Sequence, residues 1–427
     1  MRITKFVHFP KINKDVFLWG LYDFANTPLT AAMGGLFLAQ WIVIDNGIDD
    51  IWYGGIFTLS TILLLLTSPF LGAWSDKTGK RIPFIKQNTF ALVLIGSLLG
   101  LVTVSSIPRI PKVILALGLF FLLQYFYQVS LIFYNALMKS LSKPETIGKV
   151  SGIGQAFGEV GWLLGPALLL PFATKQITLF GEPGRGQVFF PAILVLILLG
   201  LPMVFWLKEK EPKKNYRIDL KGVYMETITN FRSLIRKNKN ITTFLISFMF
   251  VSDALLTVTL YFAIYLDQIF KIPDTQKYIA LALMEIVAIP SAYIIGRIGD
   301  RYGIKKVLML SCVNLILVFF LISFTSSISF MYILASFIGL GIAGFYTASR
   351  ALLIKISPAP QLAEYFGFYS TFQKFASIIG PLTWGGITLL LKDYGVVRYR
   401  IAMFALAFLM LIGTLILIRV KEKRAFS

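Results

Sequence analysis

Twelve stretches of mostly apolar residues follow one another along the chain, at 16–43, 52–74, 83–106, 113–138, 149–173, 187–207, 241–269, 276–296, 307–325, 328–353, 361–390 and 400–419. A helix of about 20 apolar residues crosses the roughly 30 Å of hydrocarbon in a bilayer. The pattern therefore predicts an all-α membrane protein with twelve transmembrane helices. Composition agrees: 56% of the 427 residues are hydrophobic and 15% are charged, against about a quarter charged in soluble domains. The mean hydropathy is +0.75.

A net charge of +20 would suit nucleic acid, but the placement of the charges argues otherwise. With the N-terminus on the cytoplasmic side, 31 of the 41 Lys and Arg fall in inner segments and 9 in outer loops, and Lys374 alone lies inside a span. That bias predicts cytoplasmic termini and no nucleic-acid partner. The basic stretch from Met1 to Asp15 runs into a full-length span, so no cleaved signal peptide is expected. A single cysteine, Cys312, and a single histidine, His8, leave no internal disulfide and no histidine-based metal site. No phosphate-cradling loop or nucleophile constellation is present, so neither an enzyme nor a cofactor is expected.

The widest gap divides six spans from six. It predicts an N-terminal bundle over 1–207, a basic cytoplasmic linker over 208–239 and a C-terminal bundle over 240–427. Within the linker Leu220, Tyr224, Ile228, Phe231 and Ile235 fall at helical spacing. They suggest an amphipathic helix on the inner membrane surface, in contact with lipid, and a solvated linker is the alternative. The halves also echo each other. Gly72, Asp76, Lys77 and Gly79 recur as Gly296, Asp300, Arg301 and Gly303, each displaced by 224, and Gly165-Pro166 recurs as Gly380-Pro381, displaced by 215. Such offsets point to a duplication with both halves in one orientation.

The pattern G-x-x-x-D-[RK]-x-G-[RK]-[RK], once in each half, resembles the loop signature of the major facilitator superfamily. Its glycines suit a tight turn, its aspartate a helix cap or ion pair, and its cations the cytoplasmic side. The resemblance implies two six-helix bundles and a gating role for these eight residues; simple topology-setting turns are the other reading. A narrower resemblance rests on YDFAN (Tyr22 to Asn26), FYNAL (Phe133 to Leu137), GKVSGIG (Gly148 to Gly154), SDALLTV (Ser252 to Val258), ASRALL (Ala348 to Leu353) and AEYFGFYS (Ala363 to Ser370). These are similar to the vacuole-effluxer-like branch, which includes autophagy-related amino-acid exporters. Thr27 departs from its usual Y-D-F-A-N-S start, and Ser252 and Ala254 from its N-D-G pattern.

Polar residues inside the spans are the candidate site. Asp23, Asn26, Thr27 and Thr30 share one face of span one; Asp253, Thr257, Tyr261 and Tyr265 share one face of span seven; Gln124, Gln128 and Asn135 share one face of span four. Tyr346 and Arg350 lie on span ten, with Arg350 close enough to the interface to snorkel. The resemblance implies that spans one, four, seven and ten surround a central cavity, and an ionised carboxylate belongs there and not in lipid. Helix-to-helix hydrogen bonding is the plainer role for Asp23 and Asp253. Glu159, Glu285 and Lys374 lie mid-span and are candidates for proton coupling or for structural pairs. Gly154, Gly158, Gly161 and Gly165 form a small-residue row suited to a mobile interface between the halves or to static packing.

These features predict a monomeric secondary transporter of a small polar solute, working by alternating access with a proton as partner, in a prokaryotic cytoplasmic membrane. The resemblance favours amino acids as the solute. Export of an amphiphile such as a lysolipid or drug is the first alternative, and a non-transporting sensor or scaffold the second.

Overall fold

A computed structural model describes residues 13–78, 80–141, 147–207, 220–358 and 361–422. Among them eleven helices are long and apolar enough to cross a membrane. Span one runs through Lys14–Met33 and, past a kink at the extended Gly34, through the π-helical turns Gly35–Ala39 and Trp41–Asp45. Spans two to five are Asp50–Thr78, Ile82–Thr103, Arg109–Leu141 and Ile147–Ala173. Span six follows from Arg185 to Trp206. Spans seven to ten are Lys239–Phe270, Asp274–Tyr302, Ile304–Phe324 and Ile328–Ile356, and span twelve is Val397–Ile418.

Span eleven is two helices, Leu362–Phe375 and Ile379–Leu390, separated by a turn. Pro381 contributes: it has no N–H for the Ser377 carbonyl four residues earlier, and its ring crowds that carbonyl. The freed carbonyl is approached instead by the Thr58 hydroxyl of span two, at 3.5 Å. Exposed Leu94, Leu198 and Leu310 belong to the apolar belt that faces lipid.

Packing is heaviest within each half: span one on five, three on four and two on four, then seven on twelve, eight on ten and nine on ten and twelve. Tyr22 shows how the YDFAN stretch serves this packing. Its buried hydroxyl meets Thr89 of span three at 2.8 Å and Ser130 of span four at 3.0 Å. Next to it Trp19 stacks on Tyr134 at 4.8 Å, and each donates to the other's backbone carbonyl.

The glycine row of span five also lies inside the N-terminal half and not between the halves. A Cβ on Gly154 would meet the Trp19 ring, one on Gly158 the Asp23 carboxylate at 2.8 Å, and one on Gly165 the backbone of Pro28. The row lets span five lie directly on span one.

The main contacts between the halves run along three lines: residues 35–39 of span one on span seven, span two on Ile379–Leu390, and span five on span eight. All three lie toward the outer ends of the spans. The linker helix Leu220–Lys237 bridges the inner side, where the Tyr224 hydroxyl donates to the Leu66 carbonyl at 2.7 Å and Phe231 stacks on Phe372 at 5.8 Å. Ile228 and Ile235 of the same helix are exposed.

The repeated signature is more helical than its glycines suggest. Gly72, Asp76 and Lys77 belong to the last turns of span two, and Gly79 lies outside the described residues. Gly296, Asp300 and Arg301 belong to span eight, which continues to Tyr302. Open space surrounds Gly72, and only Thr347 comes within 4 Å of a Cβ on Gly296, so neither glycine is needed for a turn or a close approach. Among the described glycines of the signature only Gly303 makes the expected turn, at φ +105°.

Candidate functional site

A cavity of about 320 Å³ lies between spans one, two, four, five, seven, eight and ten. Thr30, Ala31 and residues 33–36 of span one, where the helix loosens, form one side. Tyr53 and Phe57 of span two, Phe120 and Tyr127 of span four, and Trp162 of span five supply aromatic walls, and Phe262 and Tyr278 face them from the other half. Gln124 and Thr259 add neutral polar atoms. Glu285 is the one charged side chain in the described lining, and no Lys, Arg or His joins it.

Of the residues singled out from the sequence, Thr30, Gln124 and Glu285 line this cavity. Asn26 and Thr27 are buried and serve their own helix: Asn26 donates to the Tyr22 carbonyl at 2.8 Å and Thr27 to the Asp23 carbonyl at 3.0 Å. Asp23 is half-buried against Gly158. Gln128 and Tyr346 are half-buried, Asn135 and Arg350 are exposed, and none of the four reaches the cavity wall. Asp253 and Thr257 face the break in span eleven, with Thr257 Oγ1 donating to the Asp253 carbonyl at 2.7 Å. Tyr261 donates to the Asp50 carbonyl at 3.1 Å, near the outer end. Glu159 accepts from Gln155 at 2.5 Å and stands within electrostatic range of both Asp23 and Glu285. Lys374 is half-buried and makes no ion pair among the described residues.

Two groups of residues that the polar pattern missed close the cavity from outside. Arg185 grips Asp274 of span eight through two bonds, Nε to Oδ2 at 2.8 Å and Nη2 to Oδ1 at 2.9 Å, and its Nη1 also pairs with Asp45 at the end of span one. Lys277, 1% exposed at its side chain, meets Asp267 at 2.5 Å, Asp274 at 3.0 Å and the Gln40 side chain at 2.5 Å. Asp45, Gln40 and Arg185 come from one half, and Asp267, Asp274 and Lys277 from the other. The second group centres on buried Asp50, which accepts from Trp384 at 3.2 Å and Tyr399 at 3.3 Å of the opposite half. A water-accessible basin of about 800 Å³ lies over the first group. The available signal was the position of these charges at the outer ends of the spans.

Two bundles of six spans with a cavity between them, sealed on one side by bonds that join the bundles, define a carrier that exposes its site to one side at a time. The sequence profile of the Major Facilitator Superfamily matches residues 24–267 and 244–425, and the chain belongs to that superfamily. It is an integral multi-pass membrane protein and a secondary transporter, not an enzyme, and its bacterial relatives point to a cytoplasmic membrane. The chain is 25% identical over 430 residues to the uncharacterized MFS-type transporter YxiO of Bacillus subtilis (strain 168), covering 95% of this chain and 94% of the relative. It is 23% identical over 362 residues to the multidrug resistance protein MdtG of Salmonella paratyphi C (strain RKS4594), covering 83% and 82%. Among solved structures, the nucleoside transporter NupG superposes with a TM-score of 0.71 at 16% identity, over 96% of this chain and 99% of that one. A bacterial homolog of the human lysosomal transporter Spinster, inward-facing and occupied, gives 0.71 at 15% identity over 95% of each chain. At these identities the two structures speak for the fold alone.

Proposed function

We propose that the protein exchanges a monovalent organic cation with an apolar or aromatic body for a proton, through the cavity that contains Glu285. The carrying observation is the lining: aromatic walls, one carboxylate and no cation. A cationic guest gains a charge partner in Glu285 and ring faces around it, each ring contact being worth about 0.5–2 kcal/mol. An amino acid, the solute favoured by the YDFAN-type resemblance, would bring an unpaired carboxylate into the same space at a cost of several kcal/mol. The multidrug resistance names of MdtG and of the Lactococcus lactis PmrA homolog, a multi-drug resistance efflux pump, agree with a cationic amphiphile.

Coupling follows from competition at one carboxylate. Glu285 holds either the guest or a proton, and Glu159 stands within electrostatic range of both Glu285 and Asp23. The halves over 1–207 and 240–427 rock about the cavity, with 208–239 linking them, while the signature residues around Asp76 and Asp300 gate the inner side. A stability panel on the purified protein tests the reading, because a ligand that binds the folded state raises its melting temperature. Tetraphenylphosphonium and ethidium should stabilise the wild type and lose that effect in Glu285→Gln. Stabilisation by amino acids but not by either cation would overturn it.

A further inference from the structure

Asp253 is a carboxylate for which the cavity has no use. It is 1% exposed, and neither of its carboxylate oxygens has a hydrogen-bond partner among the described residues. It faces the interruption of span eleven: a Cβ on Gly380 would stand 3.1 Å from Asp253 Oδ1 and 2.0 Å from Thr257 Oγ1. The carboxyl therefore sits over the first turn of Ile379–Leu390. No side chain caps that helix start, and the Gly380 N–H is directed toward Asp253. Among the charged and titratable side chains on the spans packed against span seven are Glu285 of span eight, Tyr346 and Arg350 of span ten, Tyr369 and Lys374 of span eleven, and Arg398 and Tyr399 of span twelve, and no side chain among the described residues bonds to the Asp253 carboxylate.

The same half-helix is part of the outer closure. A Cβ on Gly385 would lie 2.6 Å from the Ile51 Cα of the opposite half, and Trp384 donates to Asp50 at 3.2 Å. One end of a single rigid piece thus touches Asp253, and its length seals the halves. An ionised carboxylate without a cation is costly in such a place, and the partial positive charge of a helix start offsets only part of that cost. A neutral carboxyl is buried far more easily.

We propose that Asp253 and the start of Ile379–Leu390 form a proton-accepting site separate from the solute cavity, and that its proton permits the outer side to close. Loss of the proton favours the arrangement in which water reaches Asp253, so the half-helix withdraws and the outer rim opens. Lys374, in the last turn before the break, and Ser377, whose carbonyl the break frees, mark the hinge.

The test contains no solute, so its outcome is independent of which molecule the cavity carries. Spin labels at Ser106→Cys and Val396→Cys, in outer loops of opposite halves, report the rim distance in detergent or nanodiscs. Between about pH 5 and about pH 8 the ratio of long to short distances should rise about tenfold or more, whereas in Asp253→Asn it should stay within about twofold and favour the short distance. A pH response in Asp253→Asn equal to that of the unsubstituted protein would overturn the proposal. So would a wild-type rim that follows sodium and not pH. If Asp253→Asn fails to fold, Asp253→Glu keeps the acid but moves it, and an unshifted pH midpoint in that variant overturns the proposal equally.

Discussion

Arg185→Ala should open the outer side. The guanidinium joins Asp45 of its own half to Asp274 of the other, with two bonds of 2.8 and 2.9 Å to Asp274. Its side chain is 14% exposed and that of Asp274 6%, while that of Asp45 is 37% exposed. Removing one partner of a buried pair costs about 3–5 kcal/mol; the open basin and the exposed Asp45 reduce this to about 2–3 kcal/mol, since screened pairs are worth little. Asp274 also keeps Lys277. The loss falls on the outward-closed state alone, because only that state brings the two halves' charges together. At about 1.4 kcal/mol per factor of ten, the equilibrium should shift toward the open state about 30- to 140-fold. A thiol at cavity-lining Thr259 reads this shift when right-side-out vesicles receive a membrane-impermeant maleimide. The single native thiol, Cys312, is fully buried and silent. Labelling of Thr259→Cys should accelerate by roughly that factor in Arg185→Ala, and by less than about threefold in Lys392→Ala, which removes a more exposed pair with Asp49. Equal labelling rates in Arg185→Ala and its parent would refute the assignment of the cluster as the outer closure.

Gly35→Ala should act in the same direction, because its Cβ would fall 2.4 Å from the Leu260 carbonyl oxygen and 2.8 Å from that of Thr259, both backbone atoms that cannot rotate away. Thiol labelling from outside should rise, and an unchanged rate would show that spans one and seven do not need this contact to close. Trp162→Ala should weaken ethidium binding by about tenfold through loss of one aromatic wall, measured by fluorescence titration against the wild type. At the inner surface Glu422 pairs with Lys355 at 2.6 Å and accepts from the N–H groups of Ile304 and Lys305, capping span nine. Burial alone would raise this carboxyl, but the Lys355 ammonium and the two N–H groups outweigh it and hold it below the usual carboxylate range. A depressed carboxyl contributes its stability above the ordinary value near 4.3 and loses it as the pH falls further. Glu422→Gln should therefore cost about 1 kcal/mol near neutrality, with the difference in melting temperature from wild type vanishing toward about pH 3; a difference independent of pH would contradict it.

The spans were legible because bilayer thickness imposes a length and a hydropathy that few other structures share. The break in span eleven was only half legible. Gly380-Pro381 announces it, yet Gly165-Pro166 at the equivalent place leaves span five continuous. Only the folded chain shows Thr58 of the other half reaching the carbonyl freed by Pro381. The polar faces misled for a related reason. A threonine or asparagine that bonds the carbonyl four residues back, as Asn26, Thr27 and Thr257 do, has the same sequence spacing as one that faces a cavity. The aromatic walls carried no distinctive signal, since 15% of the chain is aromatic and the lining residues are scattered over several spans. Glu285 was found because a lone acid inside a span stands out whatever surrounds it.

Transport itself is the most direct test. Proteoliposomes holding the purified protein should take up ethidium or tetraphenylphosphonium when their lumen is made acidic relative to the outside, protons leaving as the cation enters. That uptake should collapse when the gradient is dissipated and be lost in Glu285→Gln. Absence of cation flux in the wild type, or an undiminished flux in Glu285→Gln, would contradict the account.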